Sequence, residues 1–188
     1  IVGYMHHFYD PAGDHLVLDG GKLESGTLSE SDGAALAVYH AQMLRFARVL
    51  AKQHNRQPPR LGGGGRSDFM GAAKLGLDIR LLGRDSMREF LRIAGINIYD
   101  VLEEKFDSPL LKGALALDAV LGANLGPRSN NSILALLHRL SGQSNGNDGM
   151  SLPEGGMGAI SEAMAAAARA AGATIRTGSP VARIKLKG

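Results

Sequence analysis

Cysteine and tryptophan are absent from this 188-residue chain, and aromatic residues make up only 5% of it. The lack of cysteine excludes disulfide bonds and thiolate metal sites. With so few aromatic side chains, a surface that stacks nucleic-acid bases has little to be built from. No apolar run approaches the roughly 18 residues of a membrane span. We therefore expect a globular, cytoplasmic protein with no nucleic-acid partner and no transmembrane segment.

The residues that are present have the balance of an ordinary globular domain. Apolar residues make up 44% and charged residues 21%, so a chain of this length can bury a real core. The formal net charge is +3, and the basic residues are scattered, which argues against a nucleic-acid-binding surface. The chain starts with Ile1-Val2-Gly3 and has no initiator methionine, so we expect an internal piece of a longer protein.

The N-terminal part predicts a β-hairpin followed by a helix. β-favouring runs at 2–9 and 15–19 flank the Pro/Gly turn at 10–14. Ser29, three residues before Asp32, predicts the N-cap of a helix that extends to about residue 54. Its apolar residues recur at spacings of three and four, which gives one inward stripe: Leu36, Tyr39, Met43, Phe46, Ala47 and Leu50. Residues 57–65, rich in Pro and Gly, predict a flexible surface connection.

From residue 68 onward the sequence predicts one helix after another. The first has an apolar stripe of Ala72, Leu75, Ile79 and Leu82 and stops at Gly83. Segment 109–121 is apolar nearly all round and predicts a buried central helix that is closed by Gly122. Capping residues mark the other helix starts: the capping box of Ser86 and Glu89, Asn97, Ser108 before Pro109, and Ser129 or Asn130.

The C-terminal part has a different character. A polar, Gly-rich loop at 141–149 precedes a glycine run at 155–158 and an alanine-rich helix at 160–171. Ala163, Ala166, Ala167 and Ala170 give that helix a small face suited to close packing. Two β-like runs follow, at 173–176 and 181–186, so this part predicts a fragment of α/β architecture. The glycines let the backbone run close to a neighbouring element or to a ligand, and the residues alone favour neither.

Other candidate sites are weaker. His6 and His7 would point to opposite faces of a strand, so they cannot converge on one metal ion with Asp10. His138 has no second ligand at helical spacing, which indicates a surface or interhelix histidine. The 62–65 glycines resemble a phosphate-binding loop but lack a preceding strand and a Lys-Ser/Thr pair. The adjacent carboxylates at 103 and 104 are most simply solvated. Taken alone, these residues identify no catalytic chemistry.

Several segments, taken in order, resemble one protein family. They are residues 91–93, 101–112, 121–129 with Gly126-Pro127-Arg128-Ser129, 135–138, and the motif Pro153-Glu154-Gly155-Gly156-Met157-Gly158. This order is similar to the central part of phytoene-dehydrogenase-like flavoproteins, especially the pyridine-nucleotide-disulphide oxidoreductase domain branch. The closing run at 172–184, with Pro180-Val181-Ala182-Arg183-Ile184, resembles the stretch by which these enzymes and related amine oxidases re-enter their FAD-binding domain. The resemblance covers nearly the whole chain.

The resemblance implies an α/β (α+β) fragment of a two-domain flavoenzyme with FAD as cofactor. Residues 1–152 would be a mainly helical substrate-binding domain with a β-hairpin, and residues 153–188 a helix–strand piece of the FAD-binding domain. The Gly-x-Gly-x-x-Gly phosphate loop of such enzymes is not in this sequence, so the FAD site is incomplete. By resemblance, the backbone of Val181 would contact the adenine, and Gly155 and Gly156 would lie near the domain boundary. No catalytic residue is implied, because the flavin takes the hydride and the protein orients the substrate.

The implied activity of the intact parent is oxidation or desaturation of a small-molecule or lipidic substrate by hydride transfer to FAD. The chain would form the substrate cavity over the flavin, would be inactive alone, and would have the rest of its own FAD domain as a partner. Its C-terminal strand edges would be unpaired, which predicts either a homodimer of the fragment or poor order there. Two alternatives stay open: a free-standing helical interaction module without cofactor, and a catalytically silent scaffold of the same fold.

Overall fold

The computed structural model describes residues 2–54, 56, 58, 60, 65–142 and 150–186, without the side chains of 2–4 and 150–152. The fold is mixed α/β, as expected, with seven helices and five strands in the described part of the chain. The chain divides into two compact units. One is Met5–Met150, and the other combines Ile1–Tyr4 with Ser151–Gly188. The predicted connection at 57–65 and loop at 141–149 lie mostly outside the described residues.

The strands form two small sheets. Strands β1 (Val2–Tyr4) and β5 (Met150–Leu152) make a two-stranded sheet. Strands β2 (His6–Tyr9), β3 (His15–Asp19) and β4 (Lys22–Gly26) make an antiparallel three-stranded sheet in that order. The predicted hairpin is confirmed by the β2–β3 pairing, in which Tyr9 faces His15. The predicted run at 2–9 is broken at Met5, however, and its two halves belong to different sheets.

Helix α1 (Glu30–Ala51) confirms the first predicted helix. The hydroxyl of Ser29 accepts a hydrogen bond of 3.1 Å from the main-chain N–H of Asp32, as the cap requires. Five of the six residues in the predicted stripe are buried, and Leu50 is half-buried against the same core. Burial of this stripe places α1 along the core of the larger unit.

Helices α2 (Arg66–Arg80) and α3 (Arg84–Ile93) follow. The capping box predicted at Ser86 and Glu89 is wrong, because α3 already begins after Gly83, which has a φ of +86°. The Ser86 hydroxyl instead accepts a hydrogen bond from Arg45 of α1 at 3.1 Å. The Glu89 carboxylate pairs with Arg92 at 2.8 Å. Ser86 therefore joins α3 to α1, and Glu89 forms an ion pair within α3, so neither residue caps the start of the helix.

Helices α4 (Ile98–Glu103), α5 (Pro109–Val120) and α6 (Ser132–Ser141) complete the helical part of the larger unit. The caps predicted at Asn97 and Ser108 are confirmed by hydrogen bonds to the N–H groups three residues on, at 2.8 and 3.3 Å. Helix α6 begins later than predicted, after Asn131, whose φ of +65° is left-handed. Asn tolerates this conformation better than most residues. The helix start differs from the predicted one by only one or two residues.

One hydrophobic core holds the larger unit together. Helix α5 contributes five buried residues to it, which confirms that this helix is central. Because α5 packs against α4, α6, β2 and β3, the small sheet and the helices share this core. Its fully buried large side chains are Leu16, Met43, Phe46, Ile93, Ile98, Val101, Leu102, Leu111, Ile133 and Leu137.

The smaller unit contains helix α7 (Gly156–Ala170) and an irregular segment after it. The helix starts within the glycine run, four residues earlier than the predicted start at 160. Its four small-face alanines, which include Ala163 and Ala170, are exposed. The strands predicted at 173–176 and 181–186 are wrong: both runs are irregular and exposed, because a strand needs a paired main chain and no described residue provides one. Within the described ranges, no helix has the length and apolarity needed to cross a membrane.

Candidate functional site

A cavity of about 540 Å³ lies between the β2–β3 turn and the start of α5. This volume is within the range of small-molecule binding sites. The cavity lies wholly inside the larger compact unit. Its walls are the turn residues 9–14 without Ala12, the start of β3, Thr27 after β4, and the first turn of α5 with its cap. A small organic molecule could therefore be held between the sheet and the central helix.

The turn that forms one wall is fixed by Asp10. One oxygen of its carboxylate accepts hydrogen bonds from the main-chain N–H of Ala12 at 2.8 Å and of Asp14 at 3.0 Å. Gly13 has a φ of +96°, a conformation that a residue with a side chain rarely adopts. The carboxylate of Asp10 is thus occupied in shaping the wall, and Asp14 is the acid that is left to face a ligand.

The opposite wall is fixed by a buried carboxylate of α1. Asp32 is only 3% exposed, and it accepts hydrogen bonds from the main-chain N–H groups of Asp107 and Ser108, both at 2.9 Å. Ser108 in turn caps α5, with Pro109 in the first turn where a missing N–H costs nothing. These contacts hold the start of α5 in place against the sheet.

The polar groups of the cavity can hydrogen-bond to a small molecule. The ring of Tyr9 stacks on that of His15 with their centroids 6.1 Å apart. The Ser25 hydroxyl, which is not part of the cavity lining, is 3.5 Å from Nε2 of His15, a long hydrogen bond. Thr27 and Asp14 add hydrogen-bonding groups, and the apolar residues of β3 and α5 add carbon surface.

A second, much smaller cavity of about 30 Å³ lies beside the phenol of Tyr39. The Tyr39 hydroxyl is buried and has no hydrogen-bond partner among the described residues. Burial raises the pKa of this phenol, and the carboxylate of Asp118 raises it further, so the group stays neutral. Gly20 and Gly21, with φ of +55° and +83°, bring the β3–β4 turn against this cavity. The space suits one water molecule and is too small for a substrate.

The ion pairs of the larger unit are structural. Asp78 of α2 contacts Lys52 at 2.7 Å and Arg56 at 3.0 Å, and these hydrogen bonds hold its pKa below the ordinary range. The two adjacent glutamates at the end of α4 also pair with cations rather than standing alone in solvent. Glu103 contacts Lys112 at 2.9 Å, and Glu104 contacts Arg92 at 2.8 Å.

The three residues assigned to the cofactor by resemblance lie in the smaller unit. Gly155 precedes α7 with a φ of +82°, and Gly156 opens the helix with a φ of +76°. No atom lies within 4 Å of the place that a Cβ on Gly156 would take, so the main chain there can be approached closely. Val181 is 78% exposed in the irregular segment. These residues fit main-chain contacts to a dinucleotide, whereas the chain offers no phosphate loop of the Gly-x-Gly-x-x-Gly type.

The remaining candidates from the sequence are the histidines and the glycines at 62–65. No group of three or more His, Cys, Asp or Glu that could hold a metal ion occurs among the described residues, and His6 and His7 are included in that search. The ring of His138 packs at a tilt of 52° against that of His54, with centroids 5.2 Å apart, and so joins α6 to the turn after α1. Of the glycines at 62–65, only Gly65 is described, and it forms the N-cap of α2.

Sequence reasoning missed the cavity and the residues that line it. The Asp-Pro-x-Gly-Asp turn was visible as a turn, but its opposite wall at Ser108 and Leu110 is almost 100 residues away in the chain. Strand β4, which carries Ser25 toward His15, was also missed. Its signal was the pair Gly20-Gly21, because two residues with positive φ are the usual connection of a tight hairpin.

The chain is similar to known flavoproteins and to two curated relatives. The family model described as flavin containing amine oxidoreductase matches residues 16–188. Pyridine nucleotide-disulfide oxidoreductase domain-containing protein 2 of Mus musculus is 38% identical over 108 residues, 57% of this chain and 18% of the relative. Its counterpart in Rattus norvegicus is 39% identical over 108 residues, with the same coverage of 57% and 18%. The matched region is thus less than a fifth of the length of these curated relatives. No solved structure gives a significant match.

Proposed function

The chain belongs to the family of flavin-containing amine oxidoreductases, and from this premise we propose that the intact protein is a FAD-dependent oxidoreductase of the dehydrogenase or desaturase type. The observation that carries the proposal is the family match over residues 16–188, which covers most of each compact unit. When bound, FAD would accept a hydride from the substrate. The residues of this chain would bind and orient that substrate.

We propose that residues 1–152 act as the substrate-binding domain and that the 540 Å³ cavity takes part of the substrate. The support is physical. The cavity has the volume of a small-molecule site, and two rigid walls, fixed by Asp10 and Asp32, keep it open. Asp14, His15 and Thr27 offer polar contacts, and Leu110 offers an apolar one. Such a mixed lining suits a small organic molecule or the end of a lipidic one.

We propose that residues 153–188 contribute to the FAD-binding domain, with the rest of that domain as their partner. The exposed main chain around Val181 is free of a strand ladder, so its N–H and C=O groups are available to an adenine ring. Gly155 and Gly156 are exposed and carry no Cβ, so the main chain at the start of α7 can be approached. Both features suit contacts made through the backbone rather than through side chains.

Flavin reduction by substrate tests the assignment of the cavity. The intact protein is screened anaerobically with small amines and with unsaturated lipids, and the compound that bleaches the flavin fastest is used for kinetics. Leu110→Trp, which fills the cavity, is expected to raise KM for that compound and leave the flavin content unchanged. Leu117→Trp, at an exposed position of the same helix, is the control. An equal KM in both variants would show that the cavity is not part of the substrate site. Bound flavin that no compound bleaches would favour the alternative of a catalytically silent scaffold.

A titration of this chain alone with FAD tests how complete its cofactor site is. We expect no saturable change in flavin fluorescence at micromolar protein, because the dinucleotide's pyrophosphate would lack its glycine loop. A clear micromolar dissociation constant would show that the chain carries a complete site, and the assignment of 153–188 as a partial one would then be wrong.

A further inference from the structure

The outward face of α2 is apolar although it is exposed. Phe69, Leu77 and Leu81 are 75%, 58% and 69% exposed. They are spaced by eight and four residues, so together with Ala73 they form one stripe along the helix. Met70 widens this stripe and is 55% exposed. A continuous strip of large apolar side chains indicates a surface that contacts something other than water.

Basic residues lie in and beside this apolar stripe. Arg66 and Arg80 are the first and last residues of α2, and Lys74 lies at the margin of the stripe. Arg84 and Arg88 continue on the exposed side of α3. All five side chains belong to exposed residues, and none takes part in the ion pairs formed between described residues. Their charge is therefore available to a partner.

The acidic residues of α2 are engaged elsewhere. Asp68 accepts hydrogen bonds from the main-chain N–H groups of Arg60, before the helix, and of Gly65, its N-cap. Asp78 lies on the inward side, where Lys52 and Arg56 pair with it. Asp85 is an exposed acid on α3, and the five cations outweigh it. The outward surface of α2 and α3 is thus both apolar and positively charged.

We propose that this surface, formed by residues 66–91 of α2 and α3, docks on an anionic lipid bilayer with α2 lying in the plane of the headgroups. Phe69, Leu77 and Leu81 would enter the boundary of the acyl chains, while the arginine and lysine side chains reach up to lipid phosphates. This arrangement requires no spanning helix. It also places the helical unit at the phase in which a lipidic substrate would be dissolved.

The charge pattern favours a bilayer over the other occupants. In a symmetric pair of two copies, the five cations would face the same five cations, which is repulsive. A protein partner would need an acidic rim around an apolar groove that fits a convex helix. An anionic membrane supplies both the negative charge and the apolar phase without any requirement of shape.

Vesicle flotation with the purified intact protein, which contains any part of the parent that covers this face, tests the proposal. We expect binding to vesicles of phosphatidylcholine that also contain phosphatidylserine, and little binding to phosphatidylcholine alone. Raising the salt concentration should release the protein, because the attraction of exposed cations is screened.

Two pairs of matched variants locate the surface. Arg80→Gln with Arg84→Gln should weaken binding to the anionic vesicles at least about tenfold, since each cation near the surface contributes about fivefold. Lys22→Gln with Arg176→Gln removes the same charge outside α2 and α3 and should weaken binding much less. Leu77→Gln should also weaken binding about tenfold, as expected for the loss of one buried apolar side chain. Val38→Gln, at an exposed apolar position of α1, is its control.

Four results would overturn the proposal. Equal binding to neutral and anionic vesicles would show that the cations of this surface do not attract anionic lipids. Binding to neither kind of vesicle would show that the surface does not dock on a bilayer. Equal losses in the α2 variants and in their controls place the contact elsewhere on the chain. A mass in light scattering that falls from dimer to monomer on Leu77→Gln assigns the face to a second copy. Thermal unfolding of each variant shows that it is folded before its binding is compared.

Discussion

The carboxylate of Asp32 in α1 accepts a 2.9 Å hydrogen bond from the main-chain N–H of Ser108, the N-cap of α5. A second bond of the same length comes from the N–H of Asp107. Asp32 is buried, and α5 contributes five buried residues to the core of the unit. One side chain therefore joins the first turn of α1 to the start of α5 and fixes a wall of the cavity.

Replacing Asp32 by alanine is expected to destabilise the protein. The change removes two charge-assisted hydrogen bonds and leaves two main-chain donors without a partner, which costs roughly 2–4 kcal/mol of unfolding free energy. Urea unfolding of the chain measures this loss. Glu30→Ala removes an acid from the same helical turn without those bonds, and it should cost less than about 1 kcal/mol. Equal losses in the two variants would show that the contact with Ser108 contributes nothing beyond the charge.

The central position of α5 gives a second prediction. Leu111 is fully buried, so Leu111→Ala should lower the unfolding free energy by about 2–5 kcal/mol through lost contacts and the cavity left behind. Leu117 is on the same helix but is 36% exposed, and its replacement by alanine should cost clearly less. A loss below about 0.5 kcal/mol at Leu111 would mean that α5 does not lie in the core.

The ion pairs of Asp78 predict a pH dependence. Hydrogen bonds from Lys52 and Arg56 lower the pKa of this carboxyl in the folded state, so its contribution is present above the ordinary aspartate pKa and is lost as the pH falls through the folded value. The stability difference between the chain and Asp78→Asn should be constant near neutral pH and shrink below about pH 4. Unfolding curves at several pH values measure it. A stability difference for Asp78→Asn that persists undiminished at low pH would contradict the prediction.

Local signals in the sequence predicted much of this fold. Ser29, Asn97 and Ser108 each cap a helix by a hydrogen bond to a residue three positions on, so the evidence lies within four residues of sequence. The stripe of α1 and the burial of α5 likewise follow from short-range periodicity. Such features depend little on the rest of the chain.

The predictions from sequence failed where contacts between distant parts of the chain determine the structure. The predicted capping box at Ser86 has the right residues, but Arg45 of another helix binds that hydroxyl. The β-like run around Val181 has suitable residues for a strand and no described main chain to pair with. The cavity depends on Asp32 reaching a loop 75 residues away, a distance over which a single sequence carries no pattern. Family resemblance, rather than local reasoning, supplied the flavin and the candidate residues.

The irregular C-terminal segment predicts self-association of the isolated chain. Val181, Ile184 and Leu186 are 78%, 77% and 88% exposed, and their main chain is not paired in a ladder. Exposed apolar side chains beside unpaired N–H and C=O groups favour pairing between copies, most simply as a two-fold dimer. Light scattering should give about twice the monomer mass for the chain and the monomer mass for a version that ends at Leu152. A monomeric chain in which 173–186 is protected from hydrogen exchange would contradict this expectation.

The central claim is that this chain is part of a flavoprotein and that residues 153–188 help to hold its FAD. The most direct measurement is the molar ratio of bound flavin to purified intact protein, taken from its absorption spectrum for the natural protein, Val181→Ala and Val181→Pro. A contact made through the backbone tolerates alanine, whereas proline removes the N–H and fixes φ. The account predicts stoichiometric flavin in the natural protein and in Val181→Ala, and a clear loss in Val181→Pro. A natural protein without flavin, or full flavin in Val181→Pro, would contradict it.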